Sequence, residues 1–158
     1  MLLNVVEMLK KKLGVEAIER NWFYSFGNVE DYFIIPSSLI IPDGCRKVGN
    51  SIFQYCTILK EVIISEGCKR IGLDAFKGCE KLEKLVIQEG VTDIEYCAFD
   101  GCRKLKEVII PNSVKVIGSW AFRDCISAEI TVGKSESKFE YFGYEVFWGC
   151  KRVRFVVC

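Results

Sequence analysis

Apolar and polar positions alternate along this chain in blocks that return every 23 residues. Leu39-Ile40-Ile41-Pro42, Val62-Ile63-Ile64-Ser65, Leu85-Val86-Ile87-Gln88 and Val108-Ile109-Ile110-Pro111 are successive copies of one apolar run. The same step carries Val48 to Ile71, Ile94 and Ile117, Phe53 to Phe76, Phe99 and Phe122, and Cys56 to Cys79, Cys102 and Cys125. A fifth copy, holding Phe142-Gly143, Phe147 and Cys150, comes two residues late. Each run is short, rich in β-branched residues and bounded by Gly or Pro, which predicts one strand per copy. A period of this length predicts a stack of similar coils, with function on a repeated surface rather than in a pocket.

One unit reads as strand, Gly turn, Ile-Gly, two polar residues, Ala-Phe-x-Gly-Cys, two polar residues and Leu. Residues Val62 to Leu82 show it without interruption. The recurring Ile-Gly-x-x-Ala-Phe-x-x-Cys-x-x-Leu pattern resembles the BspA-type leucine-rich repeats of bacteria, some of their viruses and some protozoan parasites. The resemblance covers about residues 36–158. It implies a right-handed α/β-type leucine-rich-repeat solenoid with one short parallel strand per 23-residue coil. It also implies binding or adhesion, and it offers no catalytic residues to carry over.

The physics of the repeat leads to the same architecture. A single coil of this size cannot bury its own apolar edge, whereas stacking buries it against the next coil. Val62, Ile64, Ile71, Ala75, Phe76, Cys79 and Leu82 are expected to share one core.

Alternation then assigns the opposite strand face to solvent. That face carries three columns. Lys60, Glu83 and Lys106 form one, and Glu61, Lys84 and Glu107 its neighbour, with signs alternating along both. The third is aliphatic: Ile40, Ile63, Val86, Ile109 and then Thr131. Ser65 is also expected on this outer face. Strand propensity accounts for part of the aliphatic column. A contiguous apolar stripe rimmed by charge is also the pattern of a binding surface, so these residues form the candidate partner site. A basic edge runs along Arg46-Lys47, Lys69-Arg70 and Lys115, with Arg103-Lys104 and Lys151-Arg152 nearby. It supports an alternative reading as a phosphate or nucleic-acid contact, without interleaved aromatics.

Composition narrows the field. The chain has 158 residues, half of them hydrophobic, and a net charge of +1. Nothing global draws it to nucleic acid or to an anionic membrane. No apolar run is long enough to span a bilayer as a helix. The first ten residues lack a leading positive charge, and Asn4 and Glu7 interrupt their apolar run. That is a poor signal peptide and favours the cytoplasm, with the cell surface as the alternative.

Nine cysteines and no histidine exclude Ser-His-Asp and Cys-His catalysis and remove the usual zinc spacings. Cys56, Cys79, Cys102, Cys125 and Cys150 share one column. Cys45 and Cys68 share another, continued by Val91 and Val114. Exchange with Val marks a small buried apolar site, so free packing thiols are expected, with no metal and no cofactor. Cys97, where other copies carry Ser51, Asp74 and Trp120, is expected to be exposed, as is the terminal Cys158. Gly44 and Gly49 have P-loop spacing but lack its lysine, so that motif is dismissed.

Two terminal features complete the reading. Residues 1–35 form a capping segment: Leu2, Val6, Leu9 and Leu13 make one helical stripe over 1–13, and 15–35 are an aromatic plug or degenerate coil. Residues 36–158 form the solenoid, with 135–138 as a loop. Val153, Arg154, Phe155, Val156 and Val157 open a further coil and present an edge strand suited to a homodimer. The sequence therefore predicts a non-catalytic protein-binding module, with a cell-surface adhesin fragment as one alternative and a nucleic-acid or phosphate binder as another.

Overall fold

The computed structural model describes residues 37–41, 43 and 45–156. The expected helix over 1–13 and the aromatic segment 15–35 lie outside them, as do Val157 and Cys158. The described chain is a β-solenoid of about five turns. Its four-residue strands are β1 (Ser38–Ile41), β3 (Glu61–Ile64), β5 (Lys84–Ile87), β7 (Glu107–Ile110), β9 (Glu129–Val132) and β11 (Arg152–Phe155). Between them lie two-residue strands: β2 (Lys47–Val48), β4 (Arg70–Ile71), β6 (Asp93–Ile94), β8 (Val116–Ile117) and β10 (Tyr141–Phe142). Each coil thus contributes two strands, not the single strand expected. Among the described residues the only helical element is a 3-10 turn, Glu136–Lys138, within the expected loop.

Every pairing is parallel and joins equivalent positions of neighbouring coils. Ile40 faces Ile63, which faces Val86, and Ile109 faces Thr131, which faces Arg154. The short strands form one continuous five-stranded sheet, β10-β8-β6-β4-β2. The longer strands split into β1-β3-β5 and β11-β9-β7. At the seam between β5 and β7 one coil-to-coil bond is also missing. Ser65 and Gln88 donate their backbone N–H to Ile41 and Ile64 of the preceding coil. Pro111, at the next equivalent position, has no N–H to donate to Ile87.

Inside, the apolar positions of each coil stack on those of the next. Phe53, Phe76, Phe99 and Phe122 form a ring column with centroids 5.1–5.2 Å apart and planes within 14°. That spacing is set by the strand repeat, about 4.8 Å. Removing an interior ring such as Phe99, which is fully buried, should cost about 3–5 kcal/mol.

Two positions per coil adopt positive φ. One is the column Ser51, Asp74, Cys97, Trp120 and Glu145; the other is Tyr55, Gly78, Gly101, Asp124 and Gly149. The first holds a correction, Cys97. The residue is 1% exposed, covered by its neighbours Asp100, Lys77, Asp74 and Arg123, although Ser51, Asp74 and Trp120 at the same φ are only half-buried. Ser65 is a second correction, for it is buried rather than outward-facing.

Coil five departs from the period without disturbing the core. Phe142 follows Val132 by ten residues, whereas Ile117 follows Ile110 by seven. The added length is taken up by the segment containing the 3-10 turn. Lys134 pins that segment by donating to the carbonyls of Asn112 and Val114 and by lying over the Phe139 ring at 4.4 Å.

Candidate functional site

Along each four-residue strand the second and fourth side chains enter the core and the first and third face outward. The third positions assemble the column expected from sequence: Ile40, Ile63, Val86, Ile109 and Thr131. Exposure along it is uneven. Ile40 and Ile109 are exposed, Ile109 most of all at 68%. Ile63, Val86 and Thr131 are half-buried among their neighbours.

The charged columns pair along the solenoid rather than within a coil. Lys84 reaches Glu61 at 2.6 Å and Lys106 reaches Glu83 at 2.8 Å. The Lys84 partner, assisted by the Ser38 hydroxyl, lowers the pKa of Glu61, and Lys106 does the same for Glu83. Lys60 and Glu107 end their columns without a direct ion pair among the described residues.

Alternation of sign fails beyond coil four. Glu107 faces Glu129, a like-charge pair, and Glu129 is answered from β11 and the residue before it. Lys151 meets Glu129 at 2.7 Å and Arg152 at 3.9 Å. The Lys151 contact holds the Glu129 carboxyl below its usual range. A shallow cavity of about 250 Å³ opens here, lined by Glu107, Ile109, Glu129, Thr131, Arg152 and Arg154. Arg154 extends the aliphatic column by one coil and ends it on a cation. Its place on this face, together with Arg152 and Glu129, was missed from sequence. Both arginines were read only as edge or corner charges. One further 23-residue step from Thr131 reaches Arg154 and would have found it.

The basic edge proves discontinuous. Arg70 lies 4.0 Å from Asp93 and 3.4 Å from Glu95, and Lys115 lies 2.9 Å from Glu140. Arg46, Lys47, Lys69, Arg103 and Lys104 make no ion pair among the described residues. No group of three or more Cys, Asp or Glu with metal-binding geometry occurs among the described residues. No helix among them is long and apolar enough to cross a membrane.

The family model for the "BspA type Leucine rich repeat region" matches residues 16–154 in six copies. The chain belongs to that family. The match begins upstream of the coils expected from sequence, within the segment read as a plug or degenerate coil. No curated protein matches the chain. Among solved structures, a leucine-rich repeat protein from Bacteroides ovatus is 30% identical over 77% of this chain and 40% of its own, with a TM-score of 0.55. The pneumococcal vaccine antigen PcpA is 26% identical over 73% of this chain and 30% of its own, with a TM-score of 0.61. A leucine-rich cell surface protein from Faecalibacterium prausnitzii shares the fold at 23% identity and a TM-score of 0.63, over 90% of this chain and 43% of its own. The chain thus spans less than half the length of each of these three structures.

Proposed function

We propose that this BspA-type repeat domain is a non-catalytic protein-binding module whose site is the outer face of the four-residue strands. The observation that supports it most is Ile109, a large aliphatic side chain 68% exposed between the Glu107–Glu129 pair and Arg154. β-Branched propensity favours Ile in a strand but does not require it on a solvated face. An apolar centre inside a charged rim supplies burial for affinity and charge for orientation.

The test is a triple substitution, Ile63→Thr, Val86→Thr and Ile109→Thr, which keeps β-branching. Its thermal midpoint should stay close to wild type. Capture of a host protein that wild type retains should fall by tenfold or more, since lost apolar burial counts for about 25 cal/mol per Å². Equal capture by both proteins would overturn the reading.

Two finer points belong to the same reading. The edge of β11, formed by Val153, Arg154, Phe155 and Val156, can pair with its own copy about a two-fold axis. Display at the cell surface, the alternative to the cytoplasmic expectation, is supported by the antigen among its structural relatives. Antibody labelling of intact source cells tests it, and labelling only after permeabilisation would restore the cytoplasmic placement.

A further inference from the structure

Away from the strand face, the turn between each two-residue strand and its phenylalanine forms a second repeated edge. In coils one and two it carries Asn50-Ser51 and Leu73-Asp74. In coils three, four and five it carries one aromatic ring each, Tyr96, Trp120 and Tyr144, with Trp148 a few residues on. Tyr144 is 67% exposed and Trp148 57%.

Two of these rings, Tyr96 and Trp120, are held in place. The Tyr96 and Trp120 centroids are 5.2 Å apart at 60°. The Arg123 guanidinium lies 4.8 Å from the Trp120 ring centre. The Trp120 indole N–H donates to Glu145 at 3.1 Å, joining coil four to coil five. Arg123 is fixed from below by a two-point bond to Asp100, 2.9 and 2.8 Å, and Lys77 approaches the same buried carboxylate at 3.5 Å. Trp120 sits at φ +60, a conformation that disfavours bulky residues. A costly ring at that position, where Ser51 and Asp74 serve other coils, points to a use for the ring itself.

The chemistry narrows what the edge can hold. Two cations, Lys77 and Arg123, stand against four anions, Asp74, Asp100, Asp124 and Glu145, so the edge carries an acidic excess that turns a polyanion away. Charged side chains lie between the rings, so no continuous apolar centre of the kind a protein interface needs is present. The exposed Tyr96, Tyr144 and Trp148 rings, flanked by fixed carboxylate and guanidinium groups, suit a ligand with apolar C–H faces and hydroxyls around its rim. That ligand is a pyranose. At the phenylalanine column, equivalent rings of neighbouring coils stand 5.1–5.2 Å apart. An extended β-1,4-linked pyranose chain advances by nearly the same distance per sugar, so successive sugars meet successive coils.

We propose that the turn edge of coils three to five binds a single neutral β-1,4-linked pyranose chain along the solenoid axis, stacked on the exposed rings of Tyr96, Tyr144 and Trp148, with Trp120 and Arg123 holding the edge between them. Because the rings are not coplanar, the occupant is one twisted chain rather than the flat face of a crystal.

The whole chain is titrated with cellohexaose and chitohexaose, following tryptophan fluorescence and heat of binding. At least one hexaose should bind saturably, and more tightly than its disaccharide. Tyr144→Ala and Trp148→Ala, both on exposed side chains, should each weaken binding by about tenfold, as loss of one aromatic stacking partner does elsewhere. Laminarihexaose, whose β-1,3 linkage curls the chain away from the coil spacing, should bind more weakly. The strand-face triple variant should bind the sugar like wild type, which separates this edge from the protein-binding reading. Absence of binding by both β-1,4 hexaoses at millimolar concentration would overturn the proposal. So would affinity unchanged in both alanine variants, or a captured protein whose retention depends on Trp148.

Discussion

At the scale of single residues, the cysteine column carries more than packing. The Sγ atoms of Cys79, Cys102, Cys125 and Cys150 lie 3.1–3.3 Å from the carbonyl oxygens of Phe53, Phe76, Phe99 and Phe122, each in the preceding coil. A thiol donates weakly, and here it is a second donor to carbonyls that already accept the backbone N–H of Cys56, Cys79, Cys102 and Cys125 within their own turns. The sequence showed this column as small and buried but not as a donor, because periodicity reports spacing and not where a hydrogen points. Cys45 and Cys68 bond instead to Lys47 and Arg70 of their own coil. That local bond is dispensable, which fits the valines at 91 and 114.

Burial raises the Cys79 thiol to about 12, and burial with Cys45 nearby raises Cys68 to about 11. Burial also raises Cys97 to about 11, against an ordinary value of 9.0. A thiol with a raised pKa favours the folded state while it stays protonated. Its contribution is therefore complete below about pH 9 and is lost as pH climbs through 9 toward 11–12. Denaturant midpoints should be level from pH 7 to 8.5 and fall above pH 9. A midpoint that rises across that window would contradict the linkage. Native thiol titration at pH 8 should leave Cys79, Cys97 and Cys125 unlabelled, and labelling each only in denaturant.

Two glycines separate steric from conformational demand. A Cβ on Gly118 would overlap the backbone of Tyr96 and Glu95 in the coil before it. A Cβ on Gly101 would meet nothing nearer than 3.8 Å, but its φ is +74. Gly101→Ala should therefore cost about 1–2 kcal/mol from conformation alone. Gly118→Ala should cost more, because rigid backbone has to move. Thermal denaturation of the two variants checks the order.

At the scale of elements, the four-residue strands, their register and the charge columns were legible, because equivalent residues recur at one spacing and parallel coils must pair them, whereas the second, two-residue strand of each coil was not. The seam at Pro111 was less so. The proline was visible, but the repeat gave no sign that one of the two sheets would divide beside its missing N–H. The core is slightly looser there, with Leu85 and Ile87 at 3% and 7% exposure while Val62 and Ile64 show none. Hydrogen exchange should find β7 amides less protected than those of β3 and β9. Pro111→Ser, which restores the donor found at Ser65, should raise protection across β5 and β7. Unequal exposure along Ile40, Ile63, Val86 and Ile109 was likewise beyond the sequence, since it depends on how neighbouring charged side chains lie over each aliphatic.

At the scale of the molecule, the coils differ in surface chemistry while sharing one interior. Apolar and paired-charge columns run the length of the strand face, but the like-charge pair, the two arginines and the aromatic turn edge all belong to the C-terminal half. Self-association through β11 is measurable as mass. Sedimentation at micromolar concentration under reducing conditions should give a dimer, reduced to monomer by Val153→Pro: Arg152 and Val156 donate inward to Ala128 and Val132, so the Val153 N–H faces the free edge and proline removes it. A monomer mass for both proteins would end that idea.

The longer segment joining β9 to β10 shows that a coil's two sheets tolerate a change in the length of chain between them. β9 keeps its pairing with β7, and β10 keeps its pairing with β8, while the added residues bulge outward and are pinned by Lys134. The coil is therefore a splice-tolerant frame. A peptide epitope or reporter tag spliced between Ser135 and Ser137 would project from coil five without entering the core, giving a handle for tracking the protein that leaves both its strand face and its aromatic edge free.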